Sequence, residues 1–343
     1  MRLKRLIYGG LIGFTIISLS LQSCKKDPDE PDSFKGFVKP EHFPEPWYLA
    51  ENNPITKDGF ELGRRLFFDP VLSSDSTIHC GTCHAQVHAF ADHGAALSAG
   101  VEGRLGIRNS PGLFNIAWFP SFMWDGGINH IEVMPIAPIT DHNEMDETLT
   151  NVVEKLKRSS VYPQFFKKAF GTEEITDQKM LFALAQYMAL LISSNSPYDQ
   201  YVTSKGSLNA REMNGLSLFR VHCESCHKEP LFTDFSFVNN GLDSQYTDAG
   251  RGRITQLAAD SGAFKVPSLR NVDLTYPYMH DGRFFSLESV LDHYTTGVLR
   301  NGRLDARLPG NINLTAEEKE DIILFLKTLT DYELLSDLSI SEP

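Results

Sequence analysis

Two short cysteine motifs constrain this chain more than any other feature. The sequence carries CGTCH from Cys80 to His84 and CESCH from Cys223 to His227, and both have the form C-x-x-C-H. This spacing is typical of c-type haem attachment, because two thiols three positions apart can add to the two vinyl groups of one haem while the next histidine reaches the iron. We therefore predict two covalently bound haems, held by Cys80, Cys83, His84, Cys223, Cys226 and His227.

Two other cysteine chemistries fit these motifs less well. A zinc site can combine two C-x-x-C pairs, but it does not need a histidine at the same offset after both pairs. A thioredoxin-like redox pair would need a neighbouring βαβ pattern, which we do not find in this sequence. The chain has five cysteines in all, too few for a disulfide scaffold in 343 residues. Cys24 is the only cysteine outside the two motifs.

The N-terminal segment resembles a bacterial lipoprotein signal. A cationic start, MRLKR, precedes a short apolar run from Leu6 to Leu21, and the sequence LQSC ends at Cys24. The run is short for a membrane span. We predict that residues 1–23 are a signal peptide, that Cys24 is lipidated, and that residues 24–53 form a flexible tether. An uncleaved anchor and cleavage at another position remain alternatives.

The predicted lipid anchor sets the expected location of the protein. It implies export to the periplasm, and the lysine after Cys24 resembles the sorting signal for the outer membrane. Removal of the signal peptide would change the formal net charge from −12 to −15, because it takes away Arg2, Lys4 and Arg5 but no acidic residue. This acidic balance argues against a nucleic-acid partner and favours a basic protein partner.

Helical signals outnumber strand signals along the chain, so we predict a mainly α protein. A GxxLF sequence precedes each haem motif, at Gly63 and again at Gly215, which indicates a duplicated unit. We predict two cytochrome c-like domains, each wrapped around one haem, over residues 54–195 and 196–335. A short tail, residues 336–343, follows the second domain.

Local signals predict where several helices begin and where the chain is irregular. Residues of the N-capping type precede apolar helical patterns at Thr176, Asn209, Ser286 and Thr315. Long segments rich in Gly and Pro, residues 92–148 and 228–285, are predicted to be loops that wrap the cofactors. A linker between the two domains is predicted near Ser193–Ser207.

The sequence resembles the bacterial di-haem cytochrome c peroxidases over about residues 54–330. Several motifs in matching order carry the resemblance: ELGRRLFFDP from Glu61, RNSP from Arg108, FMWDG from Phe122, PITDHNE from Pro138, KVPSLRN from Lys265 and PYMHDG from Pro277. The resemblance implies that peroxide reacts at the haem on His84. It also implies that the haem on His227 stores or relays the second oxidising equivalent and receives electrons.

The resemblance further implies two catalytic side chains. Trp124 matches the family's tryptophan between the haems, and Glu144 matches its acid on the peroxide side of the first haem. A carboxyl group at this place can take a proton from one peroxide oxygen and return it to the other. On the residues alone, Trp124 can also be a packing aromatic and Glu144 a solvated loop acid.

One position departs from the histidine-ligated members of this family. Those members carry a histidine, in the loop before RNxP, that binds the first iron in the resting state, and Val101 stands at the matching position. The resemblance then implies that this ligated state does not form and that no reductive activation is needed. His88 and His93 lie nearby, but they are close to the first motif rather than in the matching loop.

A second departure concerns the far ligand of the second haem. Many members use a methionine in the helix after PYxHxG, whereas the alignment places Tyr294 there, as in the MauG-type enzymes. A phenolate is an anionic donor, so it should lower the iron potential relative to a thioether. We predict that Tyr294 is the ligand, with Met279 and His293 as alternatives.

The resemblance also implies one calcium ion between the haems. The matching ligands are the side chain of Asn109 and the carbonyl groups of Thr275 and Pro277. All of these are oxygen donors, which Ca²⁺ prefers. A homodimer is a further expectation from the family.

The predicted function is therefore the reduction of hydrogen peroxide with electrons from a small donor such as cytochrome c. One alternative is a MauG-type oxidase that modifies a protein or a small molecule, and another is a non-catalytic electron-transfer lipoprotein. The MauG-type enzymes carry a tryptophan two residues before the second haem motif. This chain has Val221 at that position, which weakens the first alternative.

Overall fold

Helices account for almost all the regular secondary structure of the computed structural model, as the sequence predicts. The structure describes Phe34 and residues 36–343 except His93 and Pro309. The chain separates into a unit Met1–Lys35, of which only Phe34 is described, and a unit Gly36–Pro343. The predicted signal peptide, the lipidation site Cys24 and the alternative ligand His93 thus lie outside the described residues.

The described residues contain twelve α-helices. They are α1 (Lys57–Phe67), α2 (Cys80–Cys83), α3 (Ile136–Thr140), α4 (Leu149–Arg158), α5 (Tyr162–Phe170), α6 (Asp177–Ala189), α7 (Pro197–Val202), α8 (Ala210–His222), α9 (Gly252–Thr255), α10 (Leu287–Asp292), α11 (Ala316–Lys327) and α12 (Tyr332–Ser336). The four longest form two packed pairs, α1 with α6 and α8 with α11.

The rest of the chain is mostly irregular. Two short strands, β1 (Phe237–Val238) and β2 (Phe264–Lys265), pair antiparallel with Phe237 opposite Lys265. The two segments predicted as loops carry only this sheet and short helical turns. The loop prediction is therefore confirmed in its main point.

The predicted helix starts are confirmed. The Thr176 hydroxyl accepts a hydrogen bond from Lys179 N at the start of α6. The same cap occurs with Asn209 at α8, Ser286 at α10 and Thr315 at α11. These side chains satisfy backbone N–H groups that have no partner within the helix.

Glycine allows the two helix pairs to cross closely. A Cβ atom on Gly63 of α1 would lie 1.9 Å from the carbonyl oxygen of Ala183 on α6. A Cβ atom on Gly215 of α8 would lie 1.9 Å from the carbonyl oxygen of Asp321 on α11. The two crossings therefore repeat one packing arrangement, which gives the GxxLF repeat its physical reason.

The duplication continues beyond the haem motifs. Asn115 and Asn271 both adopt a left-handed conformation with φ of 56° and both precede a short 3₁₀ turn. Bridges then join Phe122 to Ile128 in the first half and Tyr278 to Phe284 in the second. Each of these residues in the second half lies 156 positions after its counterpart in the first half: Asn271 after Asn115, Tyr278 after Phe122 and Phe284 after Ile128. The division into domains 54–195 and 196–335 remains a prediction.

The predicted linker at Ser193–Ser207 is wrong. This segment contains α7, and Asp199 within it is 1% exposed. Both carboxylate oxygens of Asp199 accept hydrogen bonds from the fully buried Arg270, at 2.7 and 2.8 Å, and His42 lies 2.8 Å from the same carboxylate. A buried ion pair of this kind ties the segment firmly into the core, because breaking it would leave a charge without a partner.

The C-terminal residues return to the first helix pair. The Tyr187 hydroxyl of α6 donates to the carbonyl of Ile340, and the Arg64 guanidinium of α1 donates to the carbonyl of Ser341, both at 2.6 Å. The predicted tail thus packs on the N-terminal half of the unit. Among the described residues, no helix has the length and apolar character needed to span a membrane.

We expect Gly63→Ala to lower the free energy of unfolding by about 2–3 kcal/mol, since the added methyl group meets backbone atoms that cannot easily move. Denaturant unfolding followed by far-UV circular dichroism measures the effect. Gly106→Ala is the matched control, because its nearest neighbour would be 3.9 Å from the added Cβ. Equal losses in the two variants would contradict the role of the close crossing.

Candidate functional site

The first C-x-x-C-H motif forms one helical turn followed by an anchored histidine. Helix α2 places Cys80 and Cys83 three positions apart, so the two thiols share a face. His84 Nδ1 lies 2.8 Å from the carbonyl oxygen of Phe90. A carbonyl only accepts, so Nδ1 carries the hydrogen and the lone pair of Nε2 is left for a metal.

The second motif repeats this geometry. The amide of His227 donates to the Cys223 carbonyl at 2.9 Å, just as the amide of His84 donates to the Cys80 carbonyl at 2.9 Å. His227 Nδ1 lies 3.1 Å from the carbonyl oxygen of Phe232 and 3.2 Å from that of Pro267. Both histidines are thus prepared in the same tautomer.

The cysteines of both motifs are partly buried, unbridged thiols. Burial, and then the charge of the partner cysteine, raises the pKa of Cys80 to about 12 and that of Cys223 to about 12. Within the described part of the chain, no three His, Cys, Asp or Glu side chains are placed to hold a metal ion together. The two pairs therefore do not combine into one zinc site.

The donor set at each motif fits a c-type haem. Each site offers two reduced thiols three positions apart and one histidine whose Nδ1 is bound to a backbone carbonyl, so that Nε2 is the nitrogen for axial ligation. The buried His79 Nδ1, next to Cys80, has no hydrogen-bond partner among the described residues. A haem carboxylate is the kind of group that can supply one.

Glu144 faces the first motif. Its charge acts on the thiols of both Cys80 and Cys83, and it raises the pKa of each. The residue is accessible to solvent, yet protein atoms crowd its carboxyl group; this desolvation, and then the charge of Asp141, raises the pKa of Glu144 to about 7. Such a group can both take and give a proton near neutral pH.

Trp124 connects the RNSP segment to the second half of the chain. Its indole N–H donates to the Asn109 carbonyl at 2.8 Å, and its own carbonyl accepts from the Lys265 amide at 2.8 Å. The next residue, Asp125, accepts a hydrogen bond from Arg108 at 2.7 Å and is 1% exposed. Trp124 is therefore held from both sides.

Tyr294 faces the second motif. Its side chain is buried within reach of the charges of Cys223 and Cys226, and burial raises its pKa. It lies in a single π-helical turn, His293–Gly297, that follows α10, so the helix predicted to run to Tyr294 changes its pitch after Asp292. Turns of this type occur frequently at functional sites.

The two alternative ligands differ in where their side chains point. The Asn240 amide donates to the Tyr294 hydroxyl at 3.4 Å and to Met279 Sδ at 3.5 Å, so both side chains meet at one point. His293 Nε2 instead donates to the Asn240 carbonyl at 3.2 Å. Tyr294 and Met279 both remain available on this face, and the assignment of Tyr294 stays a prediction.

The duplication assigns different residues to the same place in the two halves. The 156-residue spacing that relates Asn115 to Asn271 also relates Pro138 to Tyr294. Proline has no side-chain donor atom, whereas tyrosine offers an oxygen. The first half therefore offers no side-chain donor at the position where the second half offers a tyrosine oxygen.

The residues predicted to bind calcium belong to two chain segments that a backbone hydrogen bond joins. The Asn109 amide donates to the His280 carbonyl at 2.8 Å, and the segment of Thr275 and Pro277 directly precedes this contact. The Asn109 side-chain amide donates to the Ala96 carbonyl at 3.2 Å. The calcium site stays a prediction.

Three polar features of the site gave no signal in the sequence. They are the Asn240 amide, the Lys265 ammonium group, whose Nζ donates to the Ser121 carbonyl at 3.0 Å, and the pairing of Arg104 with Asp146 at 2.6 Å. Each depends on a partner far away in sequence. A periodic pattern could not have identified them.

Comparisons with known proteins agree with this geometry. A family profile described as di-haem cytochrome c peroxidase matches residues 57–207. The methylamine utilization protein MauG of Methylorubrum extorquens is 36% identical over 299 residues, which cover 85% of this chain and 83% of that protein. The cytochrome c551 peroxidase of Nitrosomonas europaea is 34% identical over 298 residues, covering 82% of this chain and 85% of that protein.

A solved structure is similar over nearly the whole fold. It is the crystal structure of a MauG-like protein associated with microbial copper homeostasis, with a TM-score of 0.82 and 31% sequence identity. The match covers 90% of this chain and 99% of that one. The described helices and loops therefore follow an arrangement known from experiment.

We expect the double substitution of Cys80 and Cys83 by Ser to reduce the haem content from two per chain to one, because each motif attaches its own haem. The pyridine haemochrome spectrum of the purified protein measures this ratio. Substitution of Cys223 and Cys226 by Ser should give the same count. Two haems in either variant would contradict independent attachment.

Proposed function

The chain belongs to the di-haem cytochrome c peroxidase family, and on that premise we propose that it reduces hydrogen peroxide to water with electrons from a small redox protein. The balance is one peroxide, two electrons and two protons for two water molecules. A small cytochrome c is the donor class that the family favours. The protein's negative charge selects for a basic donor.

The observation that carries the proposal is the environment of Glu144. A carboxyl group with a pKa of about 7 stands beside the thiols of the first motif. The position that repeats Tyr294 in this half is Pro138, whose side chain has no donor atom for a metal. The first site thus combines an open face with a proton-transfer group, and this combination suits the cleavage of an O–O bond.

The division of labour at the first site follows from these residues. When bound at Cys80, Cys83 and His84, the haem supplies the iron centre at which peroxide is reduced. The Glu144 carboxylate would take the proton from one peroxide oxygen and return it to the other, which leaves as water. The hydrogen bond from His84 Nδ1 to the Phe90 carbonyl keeps the histidine oriented for ligation throughout.

The second half supplies and stores electrons. Cys223, Cys226 and His227 would hold the second haem, with Tyr294 as the far ligand. Trp124, held by Asn109 and Lys265, is the aromatic group through which the halves exchange electrons. The calcium ion at Asn109, Thr275 and Pro277 would stiffen this connection, and a homodimer is consistent with the family.

The place of action is part of the proposal. Export and attachment through a lipid on Cys24 would keep the enzyme at the outer membrane, facing peroxide in the periplasm. Attachment by two acyl chains or more gives stable anchoring without a membrane-spanning helix. The segment between Cys24 and Gly36 would then act as the tether. The rest of the predicted tether, residues 36–53, packs on the fold instead, since Phe43 and Asn53 are only 3% and 2% exposed.

A MauG-type oxidase is the second candidate, and Tyr294 is the observation that favours it. An anionic oxygen ligand stabilises oxidised iron, which helps the protein keep two oxidising equivalents for a substrate other than a cytochrome. Val221 precedes the second motif and is 75% exposed. It argues against the oxidation of a protein substrate docked at this surface, because an aliphatic side chain cannot relay electrons from the substrate to the haem. Peroxide turnover with reduced cytochrome c, and none with organic substrates, would decide for the peroxidase.

We expect the rate of reaction with peroxide to rise with pH through about 7, since Glu144 must be ionised to accept a proton and is protonated at lower pH. Glu144→Gln should lower kcat/KM by about 10²–10⁴-fold and abolish this pH dependence. Stopped-flow rates between pH 5 and 9 provide the measurement.

Asp141→Asn is the matched variant for this experiment. The Asp141 carboxylate raises the pKa of Glu144. Its removal should therefore shift the midpoint of the pH–rate profile to lower pH while activity is kept. An unchanged midpoint in Asp141→Asn together with full activity in Glu144→Gln would refute the role of Glu144.

We expect Tyr294→Met to raise the reduction potential of one haem only, because a thioether favours reduced iron more than a phenolate does. Spectroelectrochemical titration gives both potentials, and the ferric EPR spectrum reports the spin state of each iron. A high-spin first haem supports catalysis, whereas two low-spin haems would leave only electron transfer. Unchanged potentials in the variant would show that Tyr294 is not a ligand.

A further inference from the structure

A tight hairpin covers the side of the first motif on which Glu144 lies. Residues 98–106 form it through a bridge between Ala99 and Leu105 and a hydrogen bond from the Gly106 amide to the Ser98 carbonyl. At its base, the Ser98 hydroxyl contacts the Cys83 thiol. The hairpin thus begins at the haem attachment site.

The tip of this hairpin is fitted closely to the loop that carries Glu144. A Cβ atom on Gly100 would lie 2.1 Å from the Asn143 carbonyl oxygen and 2.4 Å from that of Glu144. The Val101 amide donates to the Glu144 carbonyl at 2.8 Å, and the Val101 side chain is buried. The backbone of Glu144 is therefore in direct contact with the hairpin.

Arg104 fastens the two segments to each other. Its guanidinium donates to the Asp146 carboxylate at 2.6 Å and to His142 Nε2 at 3.3 Å. His142 Nδ1 in turn lies 3.2 Å from the same carboxylate of Asp146. These three side chains, Arg104, His142 and Asp146, form a clasp whose members stand on both sides of Glu144 in sequence.

Hydrogen bonds between charged groups are the strongest links in this contact. The tip of the hairpin contains Glu102 with φ of 58° and Gly103 with φ of 73°, conformations that need support from their surroundings. The neutral backbone bond of Val101 contributes less than an ion pair with short hydrogen bonds does. Loss of the clasp should therefore free the hairpin before the rest of the fold.

We propose that Arg104 is a positioning residue of the peroxide site: through its clasp with Asp146 and His142 it holds hairpin 98–106 against the loop of Glu144 and so fixes the protein atoms that surround that carboxyl group. This inference rests on the proposed function of Glu144. The clasp itself is a property of the chain and does not require any bound group.

The test uses the full-length protein with both haems and the variants Arg104→Met and Asp146→Asn. Hydrogen–deuterium exchange of peptides covering 98–106 should become about tenfold faster in each variant, and the double variant should not add to this, because both substitutions break one link. The midpoint of the pH profile for peroxide should fall from about 7 toward the ordinary 4.5 of a glutamate, since fewer protein atoms then crowd the Glu144 carboxyl group.

Two controls separate positioning from general stability. Arg211→Met removes a comparable ion pair with Asp321 between α8 and α11, so it should change neither the exchange of the hairpin nor the pH midpoint. Arg104→Lys keeps the charge that binds Asp146 and should restore part of both properties.

The outcomes are distinct. Unchanged exchange in both clasp variants would overturn the proposal, and faster exchange with an unmoved pH midpoint would overturn the positioning role of Arg104. If Glu144→Gln shows that Glu144 does not set the midpoint, the proposed function fails. The exchange measurement then still decides whether Arg104 holds the hairpin.

Discussion

Each half of the chain depends on one hydrogen bond, from the Nδ1 of a histidine to a backbone carbonyl. His84 is bound to Phe90 in this way and His227 to Phe232, and in both cases the acceptor belongs to an irregular segment that turns back on the motif. The acceptor must be held in place, so these loops need a rigid support. The paired helices, crossed at Gly63 and Gly215, provide that support.

A duplicated frame explains why the two halves can do different chemistry. The same backbone place carries Pro138 in the first half and Tyr294 in the second, and another carries Trp124 in the first half and His280 in the second. Different residues at equivalent places thus give the second half a tyrosine oxygen where the first half has a proline side chain without a donor atom. The turns at Asn115 and Asn271 and the bridges after them are shared, whereas Pro138 lies in α3 and Tyr294 in the π-helical turn after α10.

The sequence predicts what local residues encode and misses what distant pairs create. Caps such as Thr176 and Thr315 were predictable, because one side chain and the next turn decide them. The supposed linker was not, since Asp199 is drawn into the core by Arg270, 71 residues further along. Asn240 was missed for a related reason: an amide in irregular backbone carries no pattern. The haem attachment sites could also be predicted from the sequence, because the chemistry of attachment demands one fixed spacing of the two cysteines and the histidine.

The electrostatics of Glu144 set it apart from the other acids of the fold. Asp125, Asp199 and Glu229 are also partly or fully buried, but each is hydrogen-bonded to an arginine that holds its pKa below the usual range despite burial. Glu144 is the one acid in the described part of the chain whose pKa is clearly raised, by desolvation and by Asp141. The structural carboxylates Asp125, Asp199 and Glu229 are thus paired with arginine, whereas Glu144 lies beside the first C-x-x-C-H motif with a pKa near neutral, which is the property that proton transfer requires. Arg104 fits this pattern, since its charge is committed to Asp146 rather than to the nearby Glu144.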